Sequence, residues 1–303
     1  MAIIKYNKAF LILKKIKCFD NNINNIILLY YWKILQKNLI FLDWININNI
    51  NWERLSLNGN AINILKQNKK KIVWNNLSQN INAISLLKKN KDNINWYYLS
   101  ENTEAMSLLN IKCKEESFMT EIELQGLKNN RIYWRNLSSN IKAIKLLKKN
   151  KKKIDWCILC GNKNALKLLN KKKINWNYLS LNTNGIKLLS MNKSKINWDY
   201  LSLNENAIDL LSMNKSKINW KNLCLNENAI ELLENNLEKI DWNKLSCNKN
   251  AIELLKNNQD KINWNNLSGN ENAIELLKNN QDKINWKMFS SNESIFMYEK
   301  MPV

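Results

Sequence analysis

Tryptophan recurs every 22 residues through most of this chain, and a period of that length commits a sequence to a stack of small near-identical units. Trp52, Trp74 and Trp96 are spaced by 22, as are Trp134 and Trp156, and so are all six from Trp176 to Trp286. Two intervals differ. Trp156 to Trp176 is 20, a two-residue deletion, and Trp96 to Trp134 is 38, one period plus a 16-residue insertion. Numbered from the Trp, a unit reads W-x-x-L-S-x-N-x-N-A-I-x-L-L-x-x-N-x-x-K-I-N, with ten units and a terminal one begun by Trp286.

Each recurring residue has a physical reason for its place. Ala, Ile, Leu and Leu at repeat positions 10, 11, 13 and 14, such as Ala251, Ile252, Leu254 and Leu255, share one face of a helix B of about two turns. Asn at position 7, from Asn58 to Asn292, reads as its N-cap. Asn at position 17, for example Asn68 and Asn258, falls where a left-handed residue is expected to end the helix. Asn or Asp before most of the Trp residues caps a shorter helix A, on which Trp264 and Leu267 share a face. Neither helix is long enough to survive alone in water, so the seven apolar slots of a unit must be covered by its neighbours.

These patterns predict an all-α solenoid of two-helix repeats with terminal caps. Five Gly and one Pro are too few for the turns of a sheet protein. A leucine-rich β-solenoid has a similar period but needs L-x-L alternation before the Asn, where this chain has L-S-x-N. Ten units at about 8 to 10 Å each would make a rod or shallow superhelix about 80 to 100 Å long. Residues 1–51, with Trp32 and Trp44 out of register, are expected to cap one end of the solenoid formed by 52–285, and residues 286–303 to cap the other. The insertion, placed at 110–125 and carrying Glu115, Glu116, Glu121 and Glu123, is read as a loop or decayed half-unit that bends the stack.

The units, as in Asn263 to Asn285, resemble tandem repeats of giant DNA viruses of the mimivirus kind. The match covers about residues 51 to 290. In those repeats a Pro often follows the capping Asn. Here that slot holds Gly59, Ile81, Thr103, Glu205 or Glu271. The resemblance implies a helix boundary at that Asn and implies little about activity.

Composition argues against catalysis. There is no histidine to serve as general base or metal ligand, no glycine-rich phosphate loop, and carboxylates recur only at variable positions. Cys157 and Cys160 form a lone C-x-x-C with no second pair at ligand spacing. Cys160 and Cys224 occupy the Ser slot and read as Ser-to-Cys drift. No cofactor, metal or small-molecule substrate is expected. The six cysteines lack the spacing of a disulfide framework, Lys5, Lys8, Lys14, Lys15 and Lys17 interrupt any leader-like apolar run, and no stretch is long enough to cross a membrane. An intracellular, cytoplasmic protein, in the host cell if viral, is expected.

The formal charge of +21 permits nucleic acid, anionic membrane or acidic protein as partner, although 60 Asn beside abundant Lys and Ile also fit an A/T-rich coding sequence. Position 20 is basic in almost every unit and would align as a ladder that includes Lys71, Lys153, Lys173, Lys195 and Lys217. Position 12 changes in blocks, from Asn63, Ser85 and Ser107 to Lys145, Lys167 and Lys187, then to Asp209, Glu231, Glu253 and Glu275. Residues 1–220 hold 37 basic and 14 acidic side chains, and residues 221–303 hold 10 and 12. The Trp residues, in phase with Leu and Ile, are expected in the core rather than free to stack on bases. A non-enzymatic scaffold that binds a protein along an extended surface is the leading expectation, with phosphate-backbone binding as the alternative. The eight candidate contact residues are Lys71, Lys145, Lys153, Lys167, Lys173, Lys187, Lys195 and Lys217.

Overall fold

The computed structural model describes residues 39–127, 130–169 and 173–298. The rest of the expected N-terminal cap, residues 1–38, lies outside them. The chain is an all-α repeat solenoid. Helix A covers four to six residues, as in Trp52–Leu55 and Trp176–Leu181, and helix B five or six in most units, as in Ile62–Gln67 and Ile252–Lys256. Single 3-10 turns join them, such as Gly59–Ala61 before helix B and Lys69–Lys71 after it.

The capping residues behave as their chemistry suggests. Asn175 and Asp155 side chains accept from the N–H three residues on and open helix A. The position-7 Asn accepts from the N–H two residues on, and so starts a 3-10 turn that runs into helix B. Position 17 departs from expectation. Asn258 has φ −137° and ψ 49°, outside the left-handed region, and its amide instead donates back to the Leu254 carbonyl at 2.9 Å. Helix B therefore ends on a side-chain bond to one of its own free carbonyls.

Apolar burial is strongest at positions 4, 10 and 14. Leu at position 4 and its replacement Phe289 are fully buried in every unit, and Ala at position 10 is at most 1% exposed. A fully buried Leu contributes about 1.5 to 3 kcal/mol relative to exposure. The Trp residues are a partial correction. Only Trp96 is buried, while the other ten of the repeat are half-buried and packed against the core.

Polar groups also join one unit to the next. The buried position-7 Asn donates both amide hydrogens to the previous unit, to the carbonyls at positions 5 and 7. Asn204, for example, reaches Ser180 O at 2.9 Å and Asn182 O at 3.1 Å. The position-5 Ser hydroxyl donates to the Trp carbonyl four residues back and accepts the N–H that precedes the next Trp, as in Ser202 with Trp198 O and Asn219 N. The Ser thereby ties the last residue of its unit to that unit's helix A.

The expected open rod is corrected by the seam between the first unit and the last. Asn58 donates to Ser290 O at 3.4 Å and Asn292 O at 2.8 Å, and Asn51 N donates to the Ser290 hydroxyl at 2.8 Å. These are the bonds found at every other junction, so the solenoid is a closed ring of eleven units with about 33° between neighbours. The unit begun by Trp286 packs on the unit begun by Trp52, so it leaves no end to cover. Strand β1 (Leu39–Phe41) pairs antiparallel with β2 (Phe296–Tyr298), Leu39 opposite Tyr298, and clasps the seam. Trp44, out of phase with the repeat, packs on Phe289 with ring centroids 5.6 Å apart.

The insertion is helical, which corrects the loop reading. Helix B of the third unit runs on as Met106–Glu116, and Glu121–Gly126 forms a second helix behind a Thr120/Glu123 capping box. It does not interrupt the ladder, since Asn140 still donates to Ser100 O and Asn102 O at 3.2 and 3.0 Å. The expected bend is absent because the extra residues loop outward from a junction that closes beneath them.

Candidate interaction surface

The pattern of inter-unit bonds decides which side faces out. They run through positions 2, 3, 5, 7, 8 and 9, for example Asn222 Nδ2 to Asp199 O and Asn228 Nδ2 to Glu205 O. Ion pairs between units lie there too, such as Lys249 with Glu271 at 3.1 Å and Lys142 with Glu104. In a ring, the side on which units approach most closely is the inner one. Helix B and the 3-10 turn at positions 18–20 therefore form the outer side, with a radius of about 14 to 18 Å at helix spacing.

All eight lysines singled out from the sequence are exposed on that side. Lys145, Lys167 and Lys187 stand on helix B, or its 3-10 equivalent Leu166–Leu168, in units four, five and six. Lys71, Lys153, Lys173 and Lys217 share a second arrangement. Each sets its Nζ over the Trp that opens its own unit, 4.5 to 4.9 Å from the ring centroid. Lys239, Lys261 and Lys283 do the same at 4.5 to 4.8 Å. An exposed cation–π contact stabilises by about 0.5 to 1 kcal/mol. The lysine is fixed above the half-buried indole, and the indole face is covered against an incoming base.

Around the outer side the charge alternates. Units one and two are basic at positions 15 to 20, through Lys66, Lys69, Lys70, Lys71, Lys88, Lys89 and Lys91. The insertion presents Glu115, Glu121 and Glu123, all exposed. Units four to seven are densely basic, and Asp209 is the sole acid among their described residues at positions 12 to 20. Units eight to ten mix Glu231, Glu253 and Glu275 with Lys239, Lys261 and Lys283.

No protein-family model, curated protein or solved structure matches the chain. The surface must therefore be read from its own chemistry.

The insertion breaks the elevenfold pattern. A cleft of about 520 Å³ opens between Lys91–Trp96 and the inserted helix and is lined by Leu108, Ile111, Lys112 and Glu115. In unit three the position-20 cation, Arg131, lies over Tyr133, 5.9 Å from the ring centroid, and the cation over Trp96 comes from Lys112 of the insertion, 5.1 Å from the ring centroid and 3.7 Å from Glu115. Glu116, buried at the end of the same helix, accepts from Ile132 N at 2.6 Å, and burial pushes its carboxyl above the usual carboxylate range. The sequence carried no sign of Lys112 in this place, because the residue lies outside the repeat register.

Cys160 fills the Ser role as expected of drift. Its Sγ donates to Trp156 O at 3.2 Å and accepts from Asn175 N at 3.2 Å. Burial pushes its thiol up, as it does for Cys224 at the same position, so neither thiol is poised as a nucleophile. Cys157, the other member of the C-x-x-C, points to an exposed position.

Proposed function

We propose that this chain is a non-enzymatic ring scaffold that holds a flexible, acidic protein segment against the outer side of units four to seven. The observation that carries this reading is the concentration of exposed lysines there, at position 12 of units four to six and at positions 18 to 20 of units four to seven, where the described lysines make no inter-unit hydrogen bond. Such a surface attracts a polyanion and steers its approach.

Two features favour a protein chain over nucleic acid. The surface is convex, and duplex DNA, with a persistence length of about 500 Å, would touch such an arc at a tangent instead of following it. Single strands are bound on rows of aromatic faces, whereas the repeat tryptophans lie half-buried and most carry a lysine on the ring.

Fluorescence anisotropy with labelled poly-L-glutamate of about 20 residues, single-stranded DNA and duplex DNA tests the reading. The peptide should bind more tightly than either nucleic acid at the same salt. Reversing Lys145, Lys167 and Lys187 to Glu should weaken it at least about tenfold, and reversing Lys261 and Lys283 should change it about threefold or less. Tighter binding to duplex with a steep salt slope would replace this reading with phosphate-backbone recognition. Equal losses from both sets of reversals would reject a localised arc.

A further inference from the structure

Four large apolar side chains stand far more open than the rest: Phe118 at 80%, Ile122 at 83%, Met191 at 74% and Met213 at 81%, against 54% for the next, Ile111. They form two pairs with opposite electrostatic surroundings. Phe118 and Ile122 lie on the insertion among exposed Glu115, Glu121 and Glu123. Met191 and Met213 occupy position 16 of units six and seven, each two residues before a 3-10 turn that carries two exposed lysines, Lys193 with Lys195 and Lys215 with Lys217.

The two pairs cannot meet within one molecule. The insertion leaves the ring between units three and four and is held by the buried bond from Ile132 N to Glu116. The methionines are about three units, or about 100°, further round. Both project on the outer side, where they are free to meet between molecules.

We propose that these surfaces join copies of this chain, the acidic insertion of one ring docking on the basic Met191–Met213 face of the next. Exposed apolar pairs supply the part that loses water on contact, and carboxylates opposite ammonium groups set the register. Methionine is suited to such a face because its unbranched side chain adapts to the partner's shape. The contact is heterologous: each ring offers one surface of each kind, so association propagates head to tail. It needs no acidic partner and stands apart from the scaffold reading.

Sedimentation velocity on the full chain from about 10 to about 500 µM tests the proposal, since a contact this small is expected to be weak. The mean mass should rise with concentration beyond that of a dimer. Phe118→Ser with Ile122→Ser, or Met191→Ser with Met213→Ser, should leave a folded monomer, because all four side chains are exposed. Mixing the two double variants restores one intact contact and should give a one-to-one complex that grows no further. A wild-type chain that stays monomeric over the range would overturn the proposal. So would self-association that persists in either double variant, or a mixture of the two that remains monomeric.

Discussion

Asn204→Asp is expected to destabilise the ring by about 4 to 6 kcal/mol at pH 7, enough to unfold a domain of ordinary stability. Asn204 is 1% exposed, donates to Ser180 O and Asn182 O, and accepts from Asn206 N at 3.1 Å. A carboxylate keeps the acceptor and loses both donors, so two buried carbonyls lose partners and face a negative charge. Each buried group left unsatisfied costs about 1 to 3 kcal/mol, and the charge adds to that. Asn204→Ala, which brings no charge, should cost about 3 to 5 kcal/mol. Asn206 makes a similar bond, to Thr183 O at 3.0 Å, from an exposed position where water can replace it. Asn206→Asp should therefore cost about 1 kcal/mol or less.

The pH dependence gives the first variant a signature. Burial among carbonyls raises the folded-state pKa of the introduced carboxyl above its unfolded value, so the folded state binds the proton more tightly. The destabilisation is least below the unfolded value of about 3.9 and grows as pH rises through the folded value. Denaturant unfolding at pH 7 and about pH 4.5 should show the variant losing less, relative to wild type, at the lower pH. A variant that unfolds at the wild-type midpoint at pH 7 would show that the amide ladder does not hold the units together.

A circular permutant that begins at Ser216, runs to Tyr298, crosses a turn of two to four residues and continues from Leu39 to Lys215 is expected to fold as a monomer. Its thermal midpoint should lie within about 5 °C of the unpermuted 39–298 chain, a shift of about 1 to 2 kcal/mol. Leu39 and Tyr298 are partners in the β1–β2 pair, so a short hairpin turn joins them without strain. The new ends fall in the exposed turn Lys215–Lys217. In a rod the same two residues would stand about 80 to 100 Å apart, and no short turn could join them. Phe289→Ala supplies the opposite effect at the same seam. Phe289 is fully buried and touches Trp44 and Trp286, and its truncation should cost about 3 to 5 kcal/mol. Failure of the permutant to fold, with a seam insensitive to Phe289, would restore the open stack.

Much of this architecture is written locally. The 22-residue period, the faces of both helices, the caps before the Trp and the small residue at position 10 follow from spacing and side-chain chemistry inside one unit. The Ser slot could be read with them, and the Cys at 160 and 224 follows the same bonding pattern. The position-7 Asn was legible only in part. Its carbonyl oxygen serves its own unit as a cap, whereas its amide nitrogen serves the previous one, and no pattern within a unit announces the second role. The lysine row was legible as a row, but its seat over the indoles was not. The face that carries Met191 and Met213 left no signal beyond two apolar side chains at a position that most other units give to Gln, Lys or Asn.

The sequence by itself determined what a unit is and that units must stack, because short amphipathic helices have no other way to bury their apolar slots. Whether the stack ends or closes was decided only in three dimensions. Closure depends on a small rotation repeated at every junction, and a few degrees more or less per unit would leave the last unit beside the first or past it. The residues that set this angle are the same in every unit and would look alike in a rod. The contacts across the seam distinguish the two, such as the bonds from Asn58 to Ser290 and Asn292, which join residues more than 230 positions apart.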